Sequence, residues 1–359
     1  MKAVVVTPLQ KDSARLSDVP EPQPEQGQAL VRIIRMGLCG TDAEINQGLY
    51  GFAPPGSDYL ILGHENFGVV EDAGSSTRVK KGDYVVATVR RPDDCINCRA
   101  GESDMCLTGN YTERGIKMRH GYIANYYAES DQYLIHIPPE LKDIAVLLEP
   151  YSIIAKGLWQ AWKIQERMVW QPQTALVFGA GTVGLLAALA LRAKGLDVVV
   201  AARSEPSTTN SQLAEAAGVK YVSLKQTSED DLPKALGGRV DIVFEATGFS
   251  PLAFKAMELI TTNGVVIMSS VTGGGKSIQF PSDKVNQRMV LGNMLAFGTV
   301  NANRRYFEMG VQDFQTFEEK FPGLLPRFIT KRVPLEEFDY HLLSEREGVK
   351  TTIEVSRQD

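Results

Sequence analysis

One short glycine-rich segment in the middle of the chain limits its fold more than any other feature. Gly179-Ala180-Gly181-Thr182-Val183-Gly184 follows the apolar run Ala175–Phe178 and precedes the apolar helical pattern Leu185–Ala193. A strand, a glycine turn and a helix in this order open a dinucleotide-binding βαβ unit. The first glycine makes the turn, the second lets a pyrophosphate approach the backbone, and the third lets helix and strand pack closely. The segment therefore predicts a dinucleotide site with its phosphates on the helix N-terminus.

The end of the next predicted strand indicates which dinucleotide is bound. Val200-Ala201-Ala202-Arg203-Ser204 has no Asp or Glu at the position where an NAD enzyme holds the ribose 2′-hydroxyl. Arg203 and Ser204, directly after Ala202, instead suit the 2′-phosphate of NADP. Glu205 is close enough to leave use of NAD open as well. We therefore predict NADP, with NAD as an additional cofactor left open.

The apolar periodicity divides the 359 residues into two kinds of structure. From Met1 to about Glu149, short alternating runs are separated by Gly, Pro and Asp, which is typical of a β-rich domain. From about Tyr151, strand and helix patterns alternate, which predicts an α/β domain with a parallel, doubly wound sheet. The strand-like segment Thr351–Val355 is a candidate to return to the first domain. Two domains are also what a chain of this length is expected to form.

The composition argues against several classes of protein. Hydrophobic residues make up 43% and charged residues 23% of the chain, which is ordinary globular usage. The formal net charge of -5 and the lack of a long basic run give no reason to expect nucleic acid as a partner. No apolar run is long enough for a membrane span, and the N-terminal segment turns polar too early for a signal peptide. We expect a cytoplasmic protein that binds a small molecule.

Two segments of the β-rich part carry zinc-binding residue types. Cys39-Gly40-Thr41-Asp42 and Gly63-His64-Glu65 together offer a thiolate, an imidazole and carboxylates. Zinc binds these donors, and a catalytic zinc site keeps about three protein ligands and one open position. His64 is one of only four histidines, although a buried structural histidine is the alternative. That structural interpretation is the one we give to the other three, which are His120, His136 and His341.

A second group of candidate metal ligands lies in one short loop. Cys95, Cys98 and Cys106 follow Asp93 and Asp94 closely, and in an intracellular protein such a group favours metal over disulfides. Three thiolates and one carboxylate can complete a tetrahedral zinc site, although four cysteines are commoner. The sequence leaves open whether Asp93 or Asp94 is the fourth ligand. It also leaves open a loop that holds no metal.

The order and spacing of these motifs resemble those of the zinc-containing medium-chain dehydrogenases along nearly the whole chain. The matching segments are MKAVVV, CGTD, GHENFGVVE, KKGDYVV, the cysteine loop, LEP, GAGTVGLLA and EATG. Within that superfamily, VRRP, CLTGNYTERGI, HGYIANYY and FGTVNANRRYF are most similar to the microbial glucose dehydrogenases. The resemblance implies a GroES-like catalytic domain, residues 1–150 with 305–359, and a Rossmann NADP-binding domain, residues 151–304. It also implies a homodimer or homotetramer.

The same resemblance implies roles for single residues. Cys39 and His64 would bind the catalytic zinc together with Glu65 or with Glu149 of the LEP segment. Asp42 would accept the second N–H of His64 and fix its tautomer, while Thr41 would take or pass the substrate proton. Sugar hydroxyls are expected at Thr41, Glu113, Glu149 and Asn301. The implied cofactor contacts are Gly179, Gly181, Thr182, Val183, Gly184, Ala202, Arg203, Ser204, Thr247, Gly248, Thr299, Val300 and Asn301.

These features together predict a zinc-dependent oxidoreductase. It would transfer hydride from C1 of an aldose to NADP, so that glucose gives gluconolactone, and it would hold one catalytic and one structural zinc ion. The structural loop departs from the family pattern, because one of the family's four cysteines is missing. One alternative is a zinc dehydrogenase of another polyol, a secondary alcohol or threonine. A more remote alternative is a non-catalytic NADP-binding protein.

Overall fold

A computed structural model describes residues 1–273, 275, 277–345 and 347–357. The chain folds into two compact units. The first unit comprises Met1–Ser152, Asn301–Gln312 and Ile329–Asp359, and the second comprises Ile153–Val300 and Asp313–Phe328. The domain boundaries given above, 1–150 with 305–359 and 151–304, stay a prediction, and residues 274, 276, 346, 358 and 359 lie outside the described part of the chain. Among the described residues, no helix combines the length and the apolar character needed to cross a membrane.

The strands and helices alternate along the chain as follows. In chain order the strands are β1 (Lys2–Val6), β2 (Arg15–Asp18), β3 (Gln28–Gly37), β4 (Leu60–Ile61), β5 (Glu65–Asp72), β6 (Tyr84–Ala87), β7 (Arg90–Arg91), β8 (Thr112–Arg114), β9 (Met118–Arg119), β10 (Tyr126–Ser130), β11 (Leu134–His136), β12 (Thr174–Phe178), β13 (Asp197–Ala202), β14 (Lys220–Ser223), β15 (Ile242–Glu245), β16 (Val265–Met268), β17 (Leu295–Gly298), β18 (Ile329–Pro334) and β19 (Lys350–Glu354). The α-helices are α1 (Gly40–Asn46), α2 (Ile96–Arg99), α3 (Leu148–Gln165), α4 (Thr182–Ala193), α5 (Thr209–Ala216), α6 (Ser250–Leu259), α7 (Ser282–Leu291) and α8 (Arg304–Lys320). Short 3-10 turns include Ser103–Met105, which follows α2.

The first unit is built from antiparallel and mixed sheets. Its largest sheet has the order β11-β6-β5-β3-β19-β18, and β10 pairs with the free half of β3. The smaller sheets are β2-β1-β4 and β7-β8-β9. β19 lies antiparallel to β3 with Ile353 opposite Met36, so the C-terminal segment does return to this unit. A cluster of buried aliphatic side chains, including Val31, Ile33 and Ile353, forms the core between these strands.

The second unit contains a six-stranded sheet in the order β14-β13-β12-β15-β16-β17. Every pair in it is parallel, which confirms the predicted doubly wound sheet. β12 is buried along its whole length, as expected for a strand covered on both faces. Because the strand order reverses between β12 and β15, the carboxyl ends of those strands form the edge where this kind of fold binds dinucleotides.

A buried ion cluster stabilises the first unit beside β10. The Glu129 carboxylate accepts hydrogen bonds from Arg91 Nη2 and from Arg114 Nε (2.9 Å) and Nη2 (2.7 Å). Glu129 is 3% exposed. Burial alone would raise its pKa, but the two guanidinium groups lower the pKa of Glu129 to about 2. The ionised carboxylate therefore holds β7, β8 and β10 together.

This cluster predicts a specific loss of stability in acid. Because the pKa of Glu129 is lower in the folded chain, its contribution is present above the unfolded value of 4.5 and is lost as the pH falls toward 2. We expect Glu129→Gln to lower the free energy of unfolding by about 3 kcal/mol at pH 7 and by progressively less toward pH 2. Urea unfolding at pH 7, 4 and 3 measures this difference. The exposed Glu140 provides the control Glu140→Gln, and equal pH dependence in both variants would contradict the prediction.

Candidate active site

The first candidate metal site lies where β3 ends and β5 begins. Cys39 is the N-cap of α1, and His64 and Glu65 precede and open β5, which pairs with β3 so that Gly37 faces Glu65. Donor atoms of Cys39, His64 and Glu65 all lie within 4.8 Å of one another. A side chain at Gly37 would meet Glu65 Oε2 at 1.9 Å. The pairing of the two strands therefore places the three candidate ligands together.

The imidazole of His64 lies beside a second buried acid. Asp42 Oδ1 is 3.6 Å from His64 Nδ1, and neither atom has a hydrogen-bond partner among the described residues. Asp42 Oδ2 accepts the backbone N–H of Cys39 at 2.9 Å, which fixes the carboxylate. Burial would lower the pKa of His64, but Asp42 and Cys39 raise that pKa well above its usual range. The pocket thus attracts positive charge, as a cation site should.

A lysine that our sequence analysis missed neutralises part of this negative charge. Lys350 Nζ donates to Glu65 Oε1 (2.8 Å), to Glu65 Oε2 (2.6 Å) and to the carbonyl oxygen of Leu38 (3.0 Å). Lys350 is 4% exposed and Glu65 is 1% exposed. Burial would lower the pKa of Lys350, but Glu65 and Cys39 raise it. Nothing local in the sequence marks this lysine, because only the pairing of β19 with β3 brings it to the site.

Glu149 and Thr41 lie near the same site. Glu149, in the first turn of α3, is buried and its side chain makes no hydrogen bond to a described residue. Burial raises the pKa of Glu149 to about 7, with Glu65 acting in the same direction and His64 and Lys350 opposing it. Thr41 is half-buried in the first turn of α1. Glu149 is outside the group of donors within 4.8 Å, so the choice between Glu65 and Glu149 as third ligand stays open.

Two of the four residues expected to bind sugar hydroxyls are in contact. Asn301 Nδ2 donates to Glu113 Oε1 at 2.7 Å, and both residues belong to the first unit. Asn301 has a φ of 57°, a left-handed conformation that asparagine tolerates better than most residues. Arg90 donates to the same Glu113 oxygen through Nε (3.0 Å) and Nη2 (2.9 Å). Arg90 is not predicted as a site residue from the sequence, although it lies in the VRRP segment.

The cysteine loop forms a second candidate metal site. Donor atoms of Asp93, Cys95, Cys98 and Cys106 lie within 4.8 Å of one another. Cys106 Sγ is 3.2 Å from Asp93 Oδ2, and the Cys95 N–H donates to Asp93 Oδ1 at 2.8 Å. The Thr108 hydroxyl also bonds Asp93 and, with the Cys95 N–H, lowers the pKa of that carboxyl. Of the two acids that the sequence left open, the structure therefore brings Asp93 to the thiols.

The glycine turn after β12 has the shape that a pyrophosphate requires. Gly179 has a φ of 104°, and a side chain at Gly184 would meet the Gly179 carbonyl oxygen at 2.1 Å. Gly181 is the N-cap of α4, and a side chain there would meet nothing within 4 Å. Thr182 and Val183 form the first turn of the helix. The open space in front of an unblocked helix N-terminus fits an anion.

The end of β13 carries the residues expected to select the cofactor. Arg203 is exposed after the buried Ala202, and Ser204 Oγ lies 2.5 Å from the Tyr221 hydroxyl. Glu205 is the residue that leaves use of NAD open in the sequence. It pairs with Lys225 at 3.3 Å and accepts a hydrogen bond from Gln226 Nε2 at 2.8 Å. The carboxylate is therefore already engaged, while the guanidinium of Arg203 faces solvent.

The remaining expected cofactor contacts follow other strands of the same sheet. Thr247 follows β15 and its N–H donates to Glu245 Oε1 at 2.6 Å, with Gly248 next at a φ of 64°. Thr299 follows β17, and its buried hydroxyl has no hydrogen-bond partner among the described residues. The side chain of Val300 is exposed, and its carbonyl oxygen accepts from Lys156 at 2.9 Å. A contact that we did not anticipate is Asn210, whose side chain donates to the Ala180 carbonyl in the glycine turn.

Comparison with known proteins agrees with this geometry. The model of the alcohol dehydrogenase GroES-like domain matches residues 25–139, and that of the glucose dehydrogenase C-terminus matches residues 142–355. The glucose 1-dehydrogenase of Methanocella arvoryzae is 48% identical over 358 residues, or 99% of both chains. That of Thermoproteus tenax is 39% identical, again over 99% of both chains. The glucose dehydrogenase of Haloferax mediterranei, solved with NADP, Zn and gluconolactone, is 32% identical with a TM-score of 0.92 over 100% of both chains.

Proposed function

The chain belongs to the glucose dehydrogenase family of zinc-containing medium-chain dehydrogenases, and we propose that it oxidises glucose at C1 to gluconolactone with NADP as the acceptor. The observation that carries this proposal is the arrangement in the first unit. A buried, anion-rich pocket with Cys39 and His64 lies in the same unit as the polar pair Glu113 and Asn301. A polyol substrate needs precisely placed polar groups that fix its orientation.

The donor set of the first pocket fits a zinc ion. We propose that Cys39 and His64 hold it, with Glu65 or Glu149 as the third ligand. When bound, zinc supplies a Lewis acid that lowers the pKa of the anomeric hydroxyl, and NADP supplies the hydride acceptor. Nδ1 of His64 and Oδ1 of Asp42 lie 3.6 Å apart and make no hydrogen bond to a described residue. This supports the fit, because a hydrogen bond formed between them would leave Nε2 as the ligand atom.

The protein's own residues carry the rest of the proposed reaction. Asp42 holds the tautomer and orientation of His64. Thr41, beside Asp42 at the start of α1, takes the hydroxyl proton of the sugar and passes it to solvent. Glu113 and Asn301 hold other sugar hydroxyls, so that C1 is presented in one orientation. Lys350 donates to both carboxylate oxygens of the buried Glu65 and so fixes its orientation.

A panel of substrates tests this function. Purified protein with NADP is followed at 340 nm with glucose, galactose, xylose, sorbitol and threonine. We expect the highest kcat/KM with glucose. Turnover of only sorbitol or threonine would transfer the proposal to the alternative polyol or amino-acid dehydrogenase, and no turnover of any compound would favour the non-catalytic NADP-binding protein. The oligomeric state, a homodimer or homotetramer, stays a prediction that light scattering of the purified protein tests. The cytoplasmic location also stays a prediction.

We propose NADP as the preferred cofactor because of Arg203. Its exposed guanidinium can form a charge-assisted pair with the 2′-phosphate, whereas Glu205 is held by Lys225. We expect Arg203→Ala to lower kcat/KM for NADP by about 10- to 100-fold, as for a lost hydrogen bond to a charged group, and to leave NAD nearly unchanged. Lys220 is exposed and lies at the amino end of β14, whereas Arg203 follows the carboxyl end of the neighbouring strand β13. Lys220→Ala is therefore the control. An equal loss with both cofactors would contradict this role.

We further propose that the cysteine loop holds a second zinc ion, with Asp93, Cys95, Cys98 and Cys106 as ligands. Three thiolates and a carboxylate provide a closed, four-coordinate set, as in structural zinc sites. Metal analysis of the purified protein is expected to give two zinc ions per chain, and Asp93→Ala is expected to retain about one. Asp94→Ala is the matched control and should retain both. The same zinc content in the two variants would exclude Asp93 as a ligand.

A further inference from the structure

Glu113 is held by one carboxylate oxygen only. Oε1 accepts three hydrogen bonds, two from Arg90 (3.0 and 2.9 Å) and one from Asn301 (2.7 Å). Oε2 makes no hydrogen bond to any residue that the structure describes. Glu113 is largely buried, at 8% exposure, yet its Oε2 is not fully buried, so a ligand can reach that atom. The arrangement therefore leaves one acceptor atom for a ligand.

Arg90 is itself fixed on two further sides. Its guanidinium carbon lies 3.6 Å from the centre of the Tyr111 ring, a close cation–π contact. Its Nη1 donates weakly to the carbonyl oxygens of Ser103 and Asp104, at 3.4 Å each. These carbonyls belong to the 3-10 turn Ser103–Met105, which ends at Cys106. One arginine thus connects Glu113 to the turn of the cysteine loop.

The other member of the polar pair is tied to the same turn. Asn303 follows Asn301 by two residues, and its Nδ2 donates to Glu102 Oε2 (2.7 Å) and Asp104 Oδ1 (2.8 Å). Arg305 adds a salt bridge to Glu102 at 2.9 Å. Asn303 is 6% exposed and Asp104 is 4% exposed. The segment that carries Asn301 therefore cannot move without breaking buried hydrogen bonds to residues 102–104.

We propose that Arg90 and Asn303 are positioning residues for substrate recognition. They hold Glu113 and Asn301 against the turn Ser103–Met105, so that Glu113 Oε2 accepts a hydroxyl of the aldose away from the reacting C1. This inference rests on the proposed function, in which Glu113 and Asn301 bind the sugar. A fixed acceptor discriminates against a sugar that lacks the matching hydroxyl, because that sugar forms one hydrogen bond fewer with the site.

Steady-state kinetics of Arg90→Met, Arg90→Lys and Asn303→Ala test the proposal. With glucose, 2-deoxyglucose and 3-deoxyglucose, we expect the wild type to discriminate against one of the two deoxy sugars. In Arg90→Met and Asn303→Ala, the KM for glucose should rise about tenfold, as for the loss of one hydrogen bond to a charged group, with kcat changed far less, as for uniform binding. Their preference for glucose over that deoxy sugar should fall by a similar factor. Arg90→Lys should have an intermediate KM for glucose and an intermediate preference for glucose over the deoxy sugar. Lysine keeps the positive charge but lacks the planar, bidentate guanidinium group.

The controls separate positioning from general damage. Arg35 is also a buried arginine, with Nε on Glu354 Oε1 at 2.8 Å, and Arg35→Lys should leave the sugar discrimination unchanged. The dissociation constant for NADP, from tryptophan fluorescence, should equal the wild-type value in all variants. An unchanged discrimination ratio in folded Arg90→Lys and Asn303→Ala would overturn the proposal. If the wild type itself does not oxidise glucose, the proposed function fails instead, so the two failures are distinguishable.

Discussion

Replacement of His64 by alanine is expected to lower kcat for glucose oxidation by about 10³-fold or more, since loss of a Lewis acid removes several kcal/mol of stabilisation from the transition state. His64 is buried, with Asp42 Oδ1 3.6 Å from its Nδ1 and with donor atoms of Cys39 and Glu65 within 4.8 Å. Its loss removes the nitrogen ligand of the proposed zinc and the imidazole that lies 3.6 Å from Asp42 Oδ1. The measurement is the initial rate at 340 nm with saturating glucose and NADP.

Two controls distinguish the loss of a metal ligand from general damage to the protein. The dissociation constant for NADP should remain at the wild-type value, because the glycine turn and Arg203 belong to the second unit. His136 is exposed, with a side-chain exposure of 55%, so His136→Ala is a matched control that should keep full activity. A His64→Ala protein that binds NADP and retains more than about a tenth of the wild-type kcat would be incompatible with several kcal/mol of metal stabilisation.

Replacement of Lys350 by methionine is expected to lower the free energy of unfolding of the first unit by about 3–5 kcal/mol, the usual effect of removing one partner of a buried ion pair. The ammonium group makes hydrogen bonds to both oxygens of Glu65 and to the Leu38 carbonyl. Without it, the Glu65 carboxylate is buried beside Glu149 and Asp42. Hydrogen exchange of peptides from β3 and β19, in the presence of a zinc chelator, reports the loss.

A double-mutant cycle isolates the pair. Glu65→Gln combined with Lys350→Met removes both charges and should recover part of the lost stability, because no ion is then left unpaired. Lys163 pairs with Glu166 at the surface, where the side chains are 56% and 64% exposed, and Lys163→Met should cost less than about 1 kcal/mol. An equal decrease in the free energy of unfolding for Lys350→Met and Lys163→Met would show that the buried ion pair stabilises the fold no more than the exposed one does.

The fold follows from the sequence where local chemistry determines it. The glycine turn, the fully apolar β12 and the helix α4 are each encoded by contiguous residues, and the structure confirms the parallel sheet that they predict. The sequence predicts a strand over Thr351–Val355, and most of that segment lies in β19. Long-range register is different, because nothing in a single sequence states that β19 pairs with β3 rather than with another edge.

The candidate site is predictable from the sequence where residue type in a short motif marks it, and not where only long-range packing does. Cys39 and His64 carry rare metal-binding side chains in short motifs, so residue type alone draws attention to them. Lys350 and Asn303 are ordinary polar residues that become important only through burial against Glu65 and Asp104. The choice of Asp93 over Asp94 likewise depends on which carboxylate the loop directs toward the thiols, a backbone detail that adjacent residues of one type do not reveal.

The central claim is tested most directly with glucose that carries deuterium at C1. Incubation with NADP and the purified protein, followed by mass spectrometry of the reduced cofactor, is expected to show one deuterium in NADPH and gluconolactone or its hydrolysis product. The transfer should stop with 1,10-phenanthroline and return when Zn²⁺ is restored, because the reaction depends on the metal. Reduced cofactor without deuterium, or transfer that continues with the metal removed, would contradict a zinc-dependent oxidation at C1.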